Sequence, residues 1–129
     1  MSLDVSPALL EKAQTGNVRE EEFLACIHES LPYAWQLIAN LARQLRFGEE
    51  QFVDNQTPPP DEQARGQLLR VLASDSMRHA LERHYGVKLA FQNCHRVALF
   101  RKDQLDAIYE EFISPRSQLL NQSPELRDC

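Results

Sequence analysis

Glycine is scarce in this chain, with only Gly16, Gly48, Gly66 and Gly86 among 129 residues and none of them clustered. A loop that cradles phosphate with backbone amides needs glycines gathered at a helix start. GxxxxGK[ST] and GxGxxG sites are thereby excluded, and neither GxSxG nor HExxH occurs. Cysteine is also rare: Cys26, Cys94 and Cys129 make an odd count without a CxxC pair. That count fits a reducing compartment better than a disulfide framework, so the cytoplasm is the expected location. No apolar run approaches the ~18–20 residues that span a bilayer, so no membrane partner is expected. The opening MSLDVSPALLEK holds an acid and a proline where a secretory leader has a basic and then an apolar region, so we expect no leader.

What the chain does contain is ordinary globular text, 43% apolar and 26% charged, enough for one α-rich domain over 1–129 with a core that needs no staples. The net charge of −5 argues against coating nucleic acid without specificity. The charge is unevenly spread. From Asp61 to Lys102 there are eight Lys and Arg against four Asp and Glu; elsewhere there are six against fifteen.

Helix starts are well marked. Ser6-Pro7 places a capping hydroxyl before a proline at the first helical position, and Gly16 offers a stop, so a short helix with Leu9, Leu10 and Ala13 inward is expected. Asn17 followed by Glu20 reads as a capping box before Phe23, Leu24, Ile27 and Leu31. Pro32 ends that run and opens PYAWQLIANLARQLRFG, whose wide apolar face makes it the central helix. Residues 49–60, with three prolines, read as an exposed loop. A helix with Ala64, Leu68, Val71 and Leu72 on one face follows, and its Gly66 suggests a close helix–helix approach. Helix 75–85 then ends at Gly86, with Met77, Ala80, Leu81, His84 and Tyr85 inward and Arg78 and Glu82 outward.

Residues 87–101 read as a hairpin turning at Asn93, the residue there that best tolerates positive φ, although a continuous helix competes. Leu105, Ile108, Tyr109 and Phe112 recur at helical spacing, Ser114-Pro115 repeats the cap-and-proline device, and 122–129 reads as a frayed tail. The expected fold is mostly α, a compact single domain of five or six helices with one small β-hairpin.

Segment 74–102 holds three of the four histidines and looks like a site. Spacing removes most of that promise. His79 and His84 stand about 140° apart around a helix, and Cys94 and His95 are neighbours that point apart on a strand or tight turn. Neither pair suits a metal, and neighbours in sequence rarely make a thiolate–imidazole pair. We expect no catalytic residue, no cofactor and no metal. What remains is a basic surface, Arg78, Arg83, Lys88, Arg96, Arg101 and Lys102, on an acidic protein.

That surface suits a noncatalytic regulatory or assembly accessory that binds another protein or a second copy of itself. The alternative is a winged-helix-like nucleic-acid-binding regulator using helix 75–85 and hairpin 87–101, although few side chains there suit base edges. A small cysteine enzyme built on Cys94 comes third. Two stretches, SLPYAWQLIANLARQLR and SPRSQLLNQSPELRDC, resemble small uncharacterised proteins of the kind found in cyanobacteria. The resemblance implies a small soluble cytoplasmic protein and carries no site residues.

Overall fold

The structure, a computed structural model, describes residues 3–93 and 95–121. Cys94 and the tail 122–129 read as frayed lie outside the described residues. In chain order the elements are α1 (Pro7–Gln14), α2 (Glu20–Ser30), α3 (Pro32–Phe47), β1 (Phe52–Asp54), α4 (Glu62–Ala73), α5 (Asp75–Tyr85), β2 (Val87–Gln92), β3 (Arg96–Arg101), α6 (Ala107–Phe112) and α7 (Pro115–Leu120). A short 3-10 turn at Lys102–Gln104 joins β3 to α6. The fold is mostly α and compact, with seven α-helices among the described residues and a three-stranded antiparallel sheet in the order β1-β3-β2.

Cap chemistry accounts for most boundaries. Ser6, Asp61, Ser74, Asp106 and Ser114 each accept a backbone N–H in the first turn of the helix that follows. Gly86 ends α5 in the left-handed region at φ 66°, and Asn93 turns the hairpin at φ 60°. The capping box of α2 lies two residues later than its letters suggested. Arg19 is the N-cap, and its N–H donates to Glu22 Oε1 at 3.1 Å.

The sheet has helices on both faces. Val53, Val87, Leu89, Val97 and Leu99 point into the main core with Leu24, Ile27, Ile38, Leu41, Leu68, Val71 and Leu81. Alternate residues, Ala90, Ala98 and Phe100, face Phe112 on the other side, with Phe52 and Tyr109 packed against them. Burial of a side chain of this size contributes roughly 1.5–3 kcal/mol. The α6–α7 layer buries only Phe112 among its large apolar residues, so it is a thin cover. Gln92 fixes it further, donating to Phe112 O at 3.0 Å and Ser117 Oγ at 2.8 Å.

Several expectations change. The hairpin is part of a three-stranded sheet: Phe52–Asp54, inside the segment read as an exposed loop, pairs with Phe100, Leu99 and Ala98. A strand of three residues with one buried side chain leaves no alternation to read. Both faces of the hairpin are covered, so it does not project as a wing. Helix α1 buries nothing, and Leu10 and Ala13 face solvent. Gly66 marks no close approach, because a Cβ there would meet only the Arg70 side chain at 3.8 Å.

Helix α3 is held at both ends by side chains from elsewhere. Its first turn begins with Pro32, which has no N–H, and the next two amides, Tyr33 N and Ala34 N, donate to Gln67 Oε1 of α4 at 2.7 and 3.2 Å. At the other end Arg101 Nη2 donates to Leu45 O at 2.6 Å and Gly48 O at 3.1 Å. The chain leaves α3 so tightly that a Cβ at Gly48 would stand 2.7 Å from Gln44 O.

Candidate functional site

The six cations nominated by sequence do not form one surface. Arg78 spans the α4–α5 joint, donating to Asp75 Oδ1 at 2.8 Å and to Leu72 O at 2.9 Å. Arg83 grips Glu20 in the first turn of α2, its Nε at 2.8 Å. That hydrogen bond is the main reason the Glu20 carboxyl lies below the ordinary range and the Arg83 guanidinium above it. Lys88 lies 3.6 Å from the Glu82 carboxylate. Arg96 donates to Asp54 Oδ2 at 2.8 Å and Gln92 Oε1 at 2.9 Å and stacks over Phe112, 4.8 Å from the ring centroid. Arg101 caps α3. Only Lys102 forms no ion pair or hydrogen bond among the described residues.

Glu82 differs from its expected outward place. It is buried, and Leu89 N on the outer edge of β2 donates to its Oε2 at 2.9 Å. The carboxylate thus satisfies an edge amide that would otherwise lack a protein partner. His84, expected inward, is exposed.

Arg101 and Lys102 do meet other cations, at a place that helix periodicity alone did not single out. A cleft of about 710 Å³ opens between the C-terminal half of α3, the end of α5 and the ends of β2 and β3. Arg43 and Arg46, three apart on α3, line it with Arg101 and Lys102, and Asp103 is the single acid. Neither the Arg43 nor the Arg46 side chain makes an ion pair or hydrogen bond among the described residues; Arg46 instead lies over the Phe47 ring at 5.4 Å from the centroid. Tyr85 forms part of the wall; burial pushes its hydroxyl pKa up, and the Arg43 charge pulls the other way. A sequence signal for this place did exist. The sixteen residues of α3 include no acid, so nothing on the helix itself neutralises Arg43 and Arg46.

Behind the cleft stands an aromatic stack. Trp35 lies parallel to His28 at 4.7 Å between centroids and also meets His84 at 5.8 Å and Tyr85 at 6.0 Å. His84 borders both the cleft and a smaller hollow of about 400 Å³ that includes Glu20, Glu21, His28 and Trp35. Among the described residues no three His, Cys, Asp or Glu side chains are grouped to hold a metal ion. None of their helices is long and apolar enough to cross a membrane.

The family model KH_NucS_shadow, described as NucS shadow ORF, matches residues 1–129. No curated protein and no solved structure matches. The family description names no activity, and nothing in these comparisons supports the cyanobacterial kinship.

Proposed function

The chain belongs to the NucS shadow ORF family, and from that premise we propose that it is a noncatalytic accessory protein that works by binding an anionic partner in the cleft between α3, α5 and the sheet. One observation carries the reading. Arg43, Arg46 and Lys102 are left without a carboxylate, whereas the five cations nominated from the sequence besides Lys102 are each tied to an acid or a backbone carbonyl of their own chain. Unpaired like charges held near one another raise the energy of the free protein, and an incoming anion relieves that cost. A regulatory role fits such a site, because occupancy changes the charge of a small acidic protein. A cytoplasmic place of work is supported by the thiol count and by Cys26, a free and buried cysteine.

A second reading, nucleic-acid recognition at helix 75–85 and hairpin 87–101, takes the letters KH in the family's name as those of the nucleic-acid-binding module. KH modules clamp the nucleic-acid backbone with a Gly-X-X-Gly loop, and no two glycines here stand three apart. The tight joint between α4 and α5, Ala73-Ser74-Asp75-Ser76, offers an acid where such a loop offers bare backbone. The β2 edge beside it is occupied by Glu82.

Retention on a heparin column tests the two readings together. The paired variant Arg43→Gln, Arg46→Gln is expected to elute at clearly lower salt than wild type, since each charged hydrogen bond lost costs about 1.5–3 kcal/mol. Arg78→Gln with Arg83→Gln is expected to elute as wild type. The reverse pattern would move the site to helix 75–85, and equal retention of all three proteins would remove the cleft from consideration.

A further inference from the structure

We infer that the cleft takes a nucleotide, its phosphates held by Arg43, Arg46 and Lys102 and its planar base laid against the Arg46–Phe47 pair. The inference rests on the binding role proposed above and names the ligand of that same site.

Charge comes first. Two helix C-termini, those of α3 and α5, end at the cleft and each presents about half a negative charge. Asp103 adds one more. Against them stand four cations, so the cleft retains a surplus of about two positive charges. A phosphate group carries about −1.5 to −2 at neutral pH. Carboxylates of an acidic peptide would be strung along an extended chain at about 3.3 Å per residue, whereas these cations line one opening.

Arg101 supplies fixed geometry. Its Nη2 and Nε donate to Leu45 O, Gly48 O and Glu50 O, which holds the guanidinium plane and leaves Nη1 without a protein partner among the described residues. A planar donor held in this way is suited to phosphate oxygens.

The aromatic part of the cleft is the second observation. Phe47 is 77% exposed, although a phenylalanine normally buries most of its area. Arg46 lies over the ring, and a guanidinium plane and an aromatic ring are the two kinds of surface on which bases stack. The volume, about 710 Å³, is within the range of small-molecule sites. Free nucleotides and the end of a single strand share this chemistry. The acidic remainder of the protein repels a long polyanion and favours the free nucleotide.

Isothermal titration of the full chain at low salt, with ADP, pyrophosphate, a short single-stranded RNA and an oligoglutamate as separate probes, tests the inference. ADP is expected to bind roughly tenfold tighter than pyrophosphate, which corresponds to one stacked base. Phe47→Ala should erase that advantage while pyrophosphate binding persists, and Arg43→Gln with Arg46→Gln should lose both. All three side chains are exposed, so each variant is expected to keep the wild-type far-ultraviolet circular dichroism spectrum, which is to be checked first. RNA binding tighter than ADP would assign the strand end as the source of the nucleotide, and weaker binding would assign the free nucleotide; the inference holds either way. ADP no tighter than pyrophosphate, a preference that survives Phe47→Ala, or oligoglutamate as the tightest probe would each overturn the nucleotide while leaving an anion site. If no probe binds, the binding role fails with it.

Discussion

The cations of α5 and the hairpin and those around the end of α3 carry the same charge in different company. Arg78, Arg83, Lys88 and Arg96 reach carboxylates on other turns and other elements, and two of these ties join residues far apart in sequence, Arg83 to Glu20 and Arg96 to Asp54. Arg43, Arg46 and Lys102 reach none among the described residues. The first group holds the fold together; the second adds charge without adding structure. A charged side chain is therefore a better candidate for binding when its own chain has not already answered it. Counting basic letters along the sequence does not separate the two groups.

The sharpest way to break this contrast is to remove one member of each group and measure stability. Arg96→Ala takes the only cation among the described residues from Asp54, whose side chain is 11% exposed and keeps just the Gln56 amide, and removes the guanidinium from Phe112. A loss of about 2–3 kcal/mol is expected in urea unfolding, as for a charged hydrogen bond in a partly buried place. Arg43→Ala should change stability by less than about 0.5 kcal/mol, as surface substitutions usually do. Equal losses would erase the distinction. Glu82→Ala comes next: the Leu89 amide and Lys88 lose their acceptor, and a loss of about 1–3 kcal/mol is expected by the same measurement.

Acid titration probes the tying group more gently. Glu22 accepts from Lys12 and from Arg19 N, and these bonds hold its carboxyl down from 4.5 to about 2. Glu20 is lowered chiefly by its bond with Arg83. In both cases the folded chain binds fewer protons than the unfolded chain. The stability they contribute is therefore complete above the ordinary carboxylate range and is lost as pH falls toward 2. Urea midpoints should decline over that window in wild type and more shallowly in Glu22→Gln; parallel declines would mean that the Lys12 tie has no weight in solution. The smallest expected effect is a gain. Gly66→Ala places a Cβ in ordinary contact with Arg70 alone, and a stabilisation of about 0.5–1 kcal/mol should appear as a raised midpoint.

Local chemistry was legible in the sequence. Ser6-Pro7, Pro32, Ser114-Pro115, Gly86 and Asn93 act through their own φ angles and nearest amides, and each does in the structure what its type suggests. Features decided by distant partners were not legible. Strand β1 is a strand because β3 lies beside it, and Glu82 is buried because β2 returns to present the Leu89 amide. The site was half legible. Arg101 and Lys102 line the cleft, but Arg43 and Arg46 were passed over because an amphipathic helix is read for its apolar stripe and not for the acids its polar face lacks. The cleft itself exists only where α3, α5 and two strand ends meet, and no single segment records that meeting.

Trp35 is the one tryptophan in the chain, and it stands within 6.0 Å of Tyr85 and 5.8 Å of His84, both of which line the cleft. Its indole emission therefore comes from a single known place and responds to the rings around it. The protein carries its own optical label: excitation at the tryptophan band reports on the cleft wall without a dye, a tag or a second residue to subtract.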